Sequence, residues 1–200
     1  MEYIKMKKTI LTISLILAAV ASQAAALTVF SGGDYERSIS GKSSEYDGRV
    51  GASLGTSYGS FDAALLGREL VSSKNRDNNV GFEVGYSNGM KLGPVSLTGR
   101  AAFGRINLVN GKAAVLSYKG NSEYLSVGAE GGLRLTPDVS AFVGYRFTDG
   151  LNAVTPIQNR VTAGADVSLT KQVGLRVGYL HDVQSGTKLN GVTTSLSYKF

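Results

Sequence analysis

The chain is predicted to be all-β, an antiparallel up-and-down transmembrane β-barrel, from three observations: a leader-like N-terminus, ten segments of alternating apolar and polar side chains, and connections that alternate between tight and long. At the N-terminus, Met6-Lys7-Lys8 leads into an apolar run over Thr9 to Val20, then Ala21-Ser22-Gln23-Ala24-Ala25-Ala26. A basic start, a short apolar stretch and small residues at its end are the marks of a secretory signal peptide, here residues 1–26, with cleavage expected after Ala26. The run is shorter than the ~20 residues a spanning helix needs. Residues 27–200 are therefore expected to be exported, and to enter any membrane as strands.

Composition points the same way. Glycine fills 26 of 200 positions, with 3 prolines and no cysteine or tryptophan, which excludes a disulfide scaffold. Losing Lys5, Lys7, Lys8 and Glu2 with the leader reduces 21 basic and 15 acidic residues to 18 and 14. That modest excess comes without a basic run, so nucleic acid is excluded as a partner.

The strands are expected near residues 27–39, 46–58, 61–72, 79–88, 95–107, 122–135, 139–149, 158–169, 173–183 and 191–200, with eight or twelve as alternative counts. Gly59-Ser60, Asn88 to Pro94, Thr136-Pro137-Asp138 and Thr170-Lys171-Gln172 read as the tight connections, the first as a type II′ hairpin. Ser40 to Glu45, Ser73 to Asn78, Leu108 to Asn121, Gly150 to Ile157 and Gln184 to Asn190 read as the long ones. An even count puts both termini at the turn end, which in such a barrel is periplasmic, with the long loops extracellular.

At the two-residue period of a strand, each segment separates two faces. Val161, Ala163, Ala165, Val167 and Leu169 oppose Arg160, Thr162, Gly164 and Asp166; Val192, Leu196, Tyr198 and Phe200 oppose Thr193, Ser195, Ser197 and Lys199. Up-and-down order gathers aromatics of the apolar face at the strand ends. Tyr58, Phe61, Tyr86, Tyr198 and Phe200 fall at the turn side, and Tyr35, Tyr46, Phe103, Tyr145, Phe147 and Tyr179 at the loop side. Two aromatic girdles around an aliphatic band favour a barrel in lipid over a secreted β-sandwich.

With its leader, its alternating segments and the terminal Ser197-Tyr198-Lys199-Phe200, the chain resembles the small bacterial outer-membrane β-barrels of the OmpA transmembrane-domain and OmpX kind, within the wider porin-like group. Those relatives have eight strands, and no subfamily motif is found in the loops. The resemblance implies an outer-membrane location with lipid and lipopolysaccharide as surroundings, and makes Tyr198 and Phe200 the signal read by the barrel-assembly machinery.

The polar face carries the functional question. It collects Asp34, Glu36, Asp47, Asp62, Glu83, Glu130, Asp166 and Asp182, with Arg49, Arg68, Arg100, Arg134, Arg146, Arg160, Arg176 and Lys199, eight acids against eight bases. The three-residue turn at Thr170 sets Asp166 opposite Arg176, a favourable cross-strand pair. Balanced buried charge suggests a salt-bridged interior and a structural or loop-mediated binding role. The alternative is a narrow channel for small or anionic solutes, for which Arg134, Arg146, Arg160 and Arg176 on successive strands would form a basic row. A protease or lipid-modifying hydrolase is disfavoured: the one histidine, His181, precedes Asp182, and neighbours on a strand point to opposite faces. Without a G-x-S-x-G, a His/Cys cluster or a phosphate-cradling loop, no cofactor, metal or enzymatic activity is expected. In the longest loop, Lys112 and Lys119 flank an apolar centre with Tyr118, suited to an anionic surface or an extracellular ligand.

Overall fold

A computed structural model describes residues 26–41, 43–72, 76–110, 121–151 and 157–200. The expected leader lies outside them except for Ala26, which opens the first strand. Ten strands follow: β1 (Ala26–Ser38), β2 (Ser43–Thr56), β3 (Gly59–Ser72), β4 (Arg76–Leu92), β5 (Val95–Asn110), β6 (Asn121–Arg134), β7 (Val139–Gly150), β8 (Gln158–Ser168), β9 (Val173–Gln184) and β10 (Thr187–Lys199). Each pairs antiparallel with its chain neighbours and β1 pairs with β10, so the sheet closes into a barrel. Among the described residues no helix is long and apolar enough to cross a membrane.

The tight turns show why the chain reverses where it does. Leu135-Thr136-Pro137-Asp138-Val139 and Leu169-Thr170-Lys171-Gln172-Val173 are the same device. Each threonine Oγ1 accepts from the backbone N–H two and three residues on, at 3.3 and 3.0 Å for Thr136 and 3.1 and 3.0 Å for Thr170. The β2–β3 turn differs from expectation. Its two loop residues are Ser57 and Tyr58, and Gly59 is the first residue of β3, at φ 144°. Thr56 is the reason: its Oγ1 accepts from Tyr58 N and donates to Gly59 O, closing the turn two residues early.

Other boundaries shift as well. β4 runs on to Leu92, so the β4–β5 turn is only Gly93-Pro94, with Gly93 at φ 61°. β9 and β10 meet at Ser185-Gly186, both at positive φ, so the stretch from Gln184 to Asn190 is a hairpin and not a long loop. β2 and β4 begin at Ser43 and Arg76, drawing Glu45 and Asp77 into the wall. Lys112, Tyr118 and Lys119 lie outside the described residues.

Register settles the facing. Asp34, Asp47 and Arg68 lie in one row across β1, β2 and β3, and Arg160, Asp182 and Leu189 in another across β8, β9 and β10, all pointing inward. The outer surface is apolar and ringed by aromatics at both ends. Tyr35 packs on Tyr46 at 4.9 Å toward the loops; Phe61 on Tyr86 at 5.0 Å and Tyr198 on Phe200 at 4.8 Å lie toward the turns. Val50, Val127, Val143 and Leu196 are exposed between the two rings. Such a belt stands in water only at high cost and fits a bilayer.

Phe200 closes the ring as well as the girdle, since its N–H donates to Leu27 O at 3.0 Å. Deleting it should lower the fraction of heat-modifiable, folded barrel recovered on refolding, read as gel mobility with and without boiling. Unchanged recovery would show that closure does not need the terminal residue.

Candidate functional site

Three ionic clusters cross the interior. Nearest the loops, Arg160 on β8 donates to Asp34 at 2.7 Å and to Asp182 at 3.1 Å, binds Glu36, and has Asp47 at 3.8 Å. Beside it Arg68 pairs with Asp47 at 2.8 Å and Glu45 at 3.0 Å. The amide of Gln184 donates to both Glu45 and Asp182, and that of Gln158 to Asp182. At mid-height Glu83 takes Arg100 at 2.9 Å, the hydroxyl of Tyr124 at 2.8 Å and Arg146; Arg100 also binds Asp62. Toward the turns Arg176 forms two-pronged pairs with Asp166 (2.7 and 2.8 Å) and Glu130 (2.8 Å twice), and lies 4.1 Å from the centre of the Phe142 ring.

The ladder supplies only part of the first two clusters, the Asp47–Arg68 and Arg160–Asp182 pairs. Asp34 stands directly opposite Asp47, Glu36 opposite Glu45, and Arg146 opposite Arg160. Like charges so placed repel. The repulsion is offset by Arg68 on the adjacent strand and by the arginines of β7 and β8, which reach the carboxylates of β4 and β1 and act as struts between facing walls. Gly104 makes room for Tyr124, the third partner of Glu83. A Cβ there would lie 2.2 Å from the ring of Tyr124, which must cross this spot to reach Glu83.

Burial is graded along the axis. In the loop-end layer Glu36, Asp182, Gln184 and Leu180 are fully buried, with Leu70 and Leu189 packed among them. Toward the turns Asp166 keeps 40 % and Glu130 34 % of its side-chain surface. The space follows the gradient. A cavity of about 80 Å³ at the level of Arg68, Asn79 and Tyr124 widens to one of about 620 Å³ whose wall reaches Thr28, Ser87 and Ser168 at the turn end.

Sequence-derived site residues fall as follows. Asp47, Arg68, Glu83, Arg100, Glu130, Arg146, Arg160, Asp166 and Arg176 take part in the clusters, and Arg49 faces the lumen beside them without an ion pair. Arg134 does not belong with them. It points inward by parity, but at the end of β6 it stands in the open and reaches only Pro137 O, at 3.4 Å. Lys199 is exposed in the same way. The expected balance fails locally, because Glu45 and Asp77, both buried, add acid at the loop end. Tyr124, Gln158 and Gln184 were also missed; a polar side chain with inward parity beside a charged one was the available signal. His181 faces outward with Nδ1 2.6 Å from Asn190 Oδ1, while Asp182 turns inward to Arg160, so the two form no dyad. Tyr198 and Phe200 stand on the outer surface of the closing strand.

The fold has solved counterparts. The chain is similar to the translocator domain of the autotransporter NalP from Neisseria meningitidis, at 12% identity and a TM-score of 0.52, covering 98% of either chain. It is similar as well to the beta domain of the Bordetella autotransporter BrkA, at 11% identity and a TM-score of 0.53, over 89% of this chain and 100% of that one. At such identities the likeness is of fold alone. No protein-family profile matches the sequence, and no curated protein does. Closed ladder, girdled exterior and ionic interior define the class, a small β-barrel of the outer-membrane kind.

Replacing Arg160 by Met leaves Asp34, Glu36 and Asp182 without their shared cation, a loss of about 3–5 kcal/mol. Arg134→Ala, at an exposed site, should change stability by less than ~0.5 kcal/mol. Denaturant unfolding of both variants in micelles, followed by tyrosine fluorescence, tests the contrast; equal midpoints would show that the struts do not hold the barrel.

Proposed function

We propose that the protein is an integral outer-membrane barrel whose lumen is closed at the loop end, and that it serves as a rigid scaffold presenting surface loops. In this reading the termini and tight turns are periplasmic and the long connections extracellular. Lipopolysaccharide surrounds the girdles, and the barrel-assembly machinery reads Tyr198 and Phe200. The observation that supports the reading is the buried loop-end layer, where Arg160 is tied to three carboxylates and Leu70, Leu180 and Leu189 are buried at the same end. A catalytic role finds no support, since the only histidine faces outward. A narrow channel would need the struts to part, and each strut is held by charge-assisted bonds in a setting where breaking them is costly.

Planar-bilayer recording of the refolded protein decides between scaffold and channel. Little or no current is expected, and Arg176→Ala should leave the barrel silent, because Arg176 lies in the wide half below the seal. Steady anion-selective conductance of the wild type, altered only in selectivity by Arg176→Ala, would overturn the closed-barrel reading in favour of a small porin.

A further inference from the structure

The wide, turn-end half of the lumen is a vestibule of about 620 Å³, a size that accommodates small ligands and, on the closed-barrel reading proposed above, a dead end. Its mouth is polar, formed by hydroxyls such as Thr28, Ser53, Ser87 and Ser197. Its charged groups are mostly spoken for. Arg100, Arg146, Arg160 and Arg176 each hold one or more carboxylates. Among the described arginines within the barrel Arg49 has no ion pair; Arg134, which also lacks one, stands in the open at the end of β6.

The reason lies in the ladder. The cross-strand neighbours of Arg49 are Gly32 and Leu66, neither of which can accept a hydrogen bond from its side chain, and Asp47, next on the same face of β2, is held by Arg68. On the turn side of Arg49 stands Phe30, whose ring lies so close over Gly51 that a Cβ there would come within 2.7 Å of it. The guanidinium sits 6.0 Å from the centre of that ring and remains exposed to the lumen. It borders both the vestibule and the small cavity above, which puts it at the vestibule's closed end.

We propose that Arg49 marks a binding site for a small oxyanion, a carboxylate or phosphate carried by a solute entering from the turn end. A guanidinium presents a planar fork of N–H donors that matches two oxygens of such a group. The neighbouring arginines are already engaged by carboxylates, which leaves the Arg49 guanidinium as the lumenal donor without an ion-pair partner. The polar mouth selects against lipid chains, and the sealed far end makes this a place of binding and not of passage.

The site is tested on the refolded barrel in a nonionic detergent, isotopically labelled so that the arginine Nε–H signals are resolved. Sodium phosphate and sodium acetate are titrated at constant ionic strength against sodium chloride. A saturable shift of the Arg49 signal is expected, with at least tenfold weaker binding in Arg49→Gln and unchanged binding in Arg134→Gln. Response to phosphate alone, acetate alone or both identifies the class of oxyanion. Heat-modifiable mobility reports whether Arg49→Gln is folded; if it is not, Arg49→Lys, which keeps the charge and loses the fork, must also weaken binding. Absence of saturation with either anion, or equal affinity in the folded substituted protein, would overturn the proposal.

Discussion

Closure of β1 onto β10 removes both sheet edges, so each strand's backbone N–H and C=O groups find partners in the neighbouring strands. That is the condition for irregularly hydrophobic strands to enter lipid at all. It also sets the radius. Ten strands enclose a space too wide for short aliphatic side chains from opposite walls to meet, and too narrow to be filled with bulk water along its whole length. Long side chains with hydrogen-bonding ends are the ones that can span it, and the arginine struts are the outcome.

Their arrangement explains an otherwise unfavourable ladder. Two acidic cross-strand pairs on β1–β2 and a basic one on β7–β8 would each destabilise a flat sheet. In a closed one they face each other, and Arg160 can satisfy carboxylates from β1 and β9 together. The charges work as cross-braces holding the walls at a set separation. Pairs such as Asp47–Arg68 and Asp166–Arg176 join neighbouring strands, whereas Arg160 to β1 and Arg146 to β4 need facing walls to be in place.

The axial gradient then divides the interior by role. Toward the loops, amides and leucines pack between the ion pairs and leave only a small cavity. Toward the turns the same chemistry is diluted with serine, threonine and glycine, leaving a polar vestibule in which Arg176 is paired and Arg49 is not. Stability resides in one half, and room for a ligand in the other.

Alternation of side chains along each strand, the two aromatic girdles and the parity of the strand count are local or periodic properties, and residues near in sequence state them directly. The Asp166–Arg176 pair belongs to the same level, since a short hairpin of known turn length lets one count up both strands to it. Turn details escaped because one hydroxyl, that of Thr56, moves the reversal by two residues, and strand ends escaped because Glu45 and Asp77 look like loop until a neighbouring strand pairs with them. The struts were beyond reach altogether. Arg160 meets Asp34 across 126 positions of chain, and whether a lumenal arginine finds such a partner, as Arg160 does, or none, as Arg49 does, depends on the stagger with which the sheet closes. Periodicity determines which face a side chain takes; only closure determines what stands opposite it across the lumen.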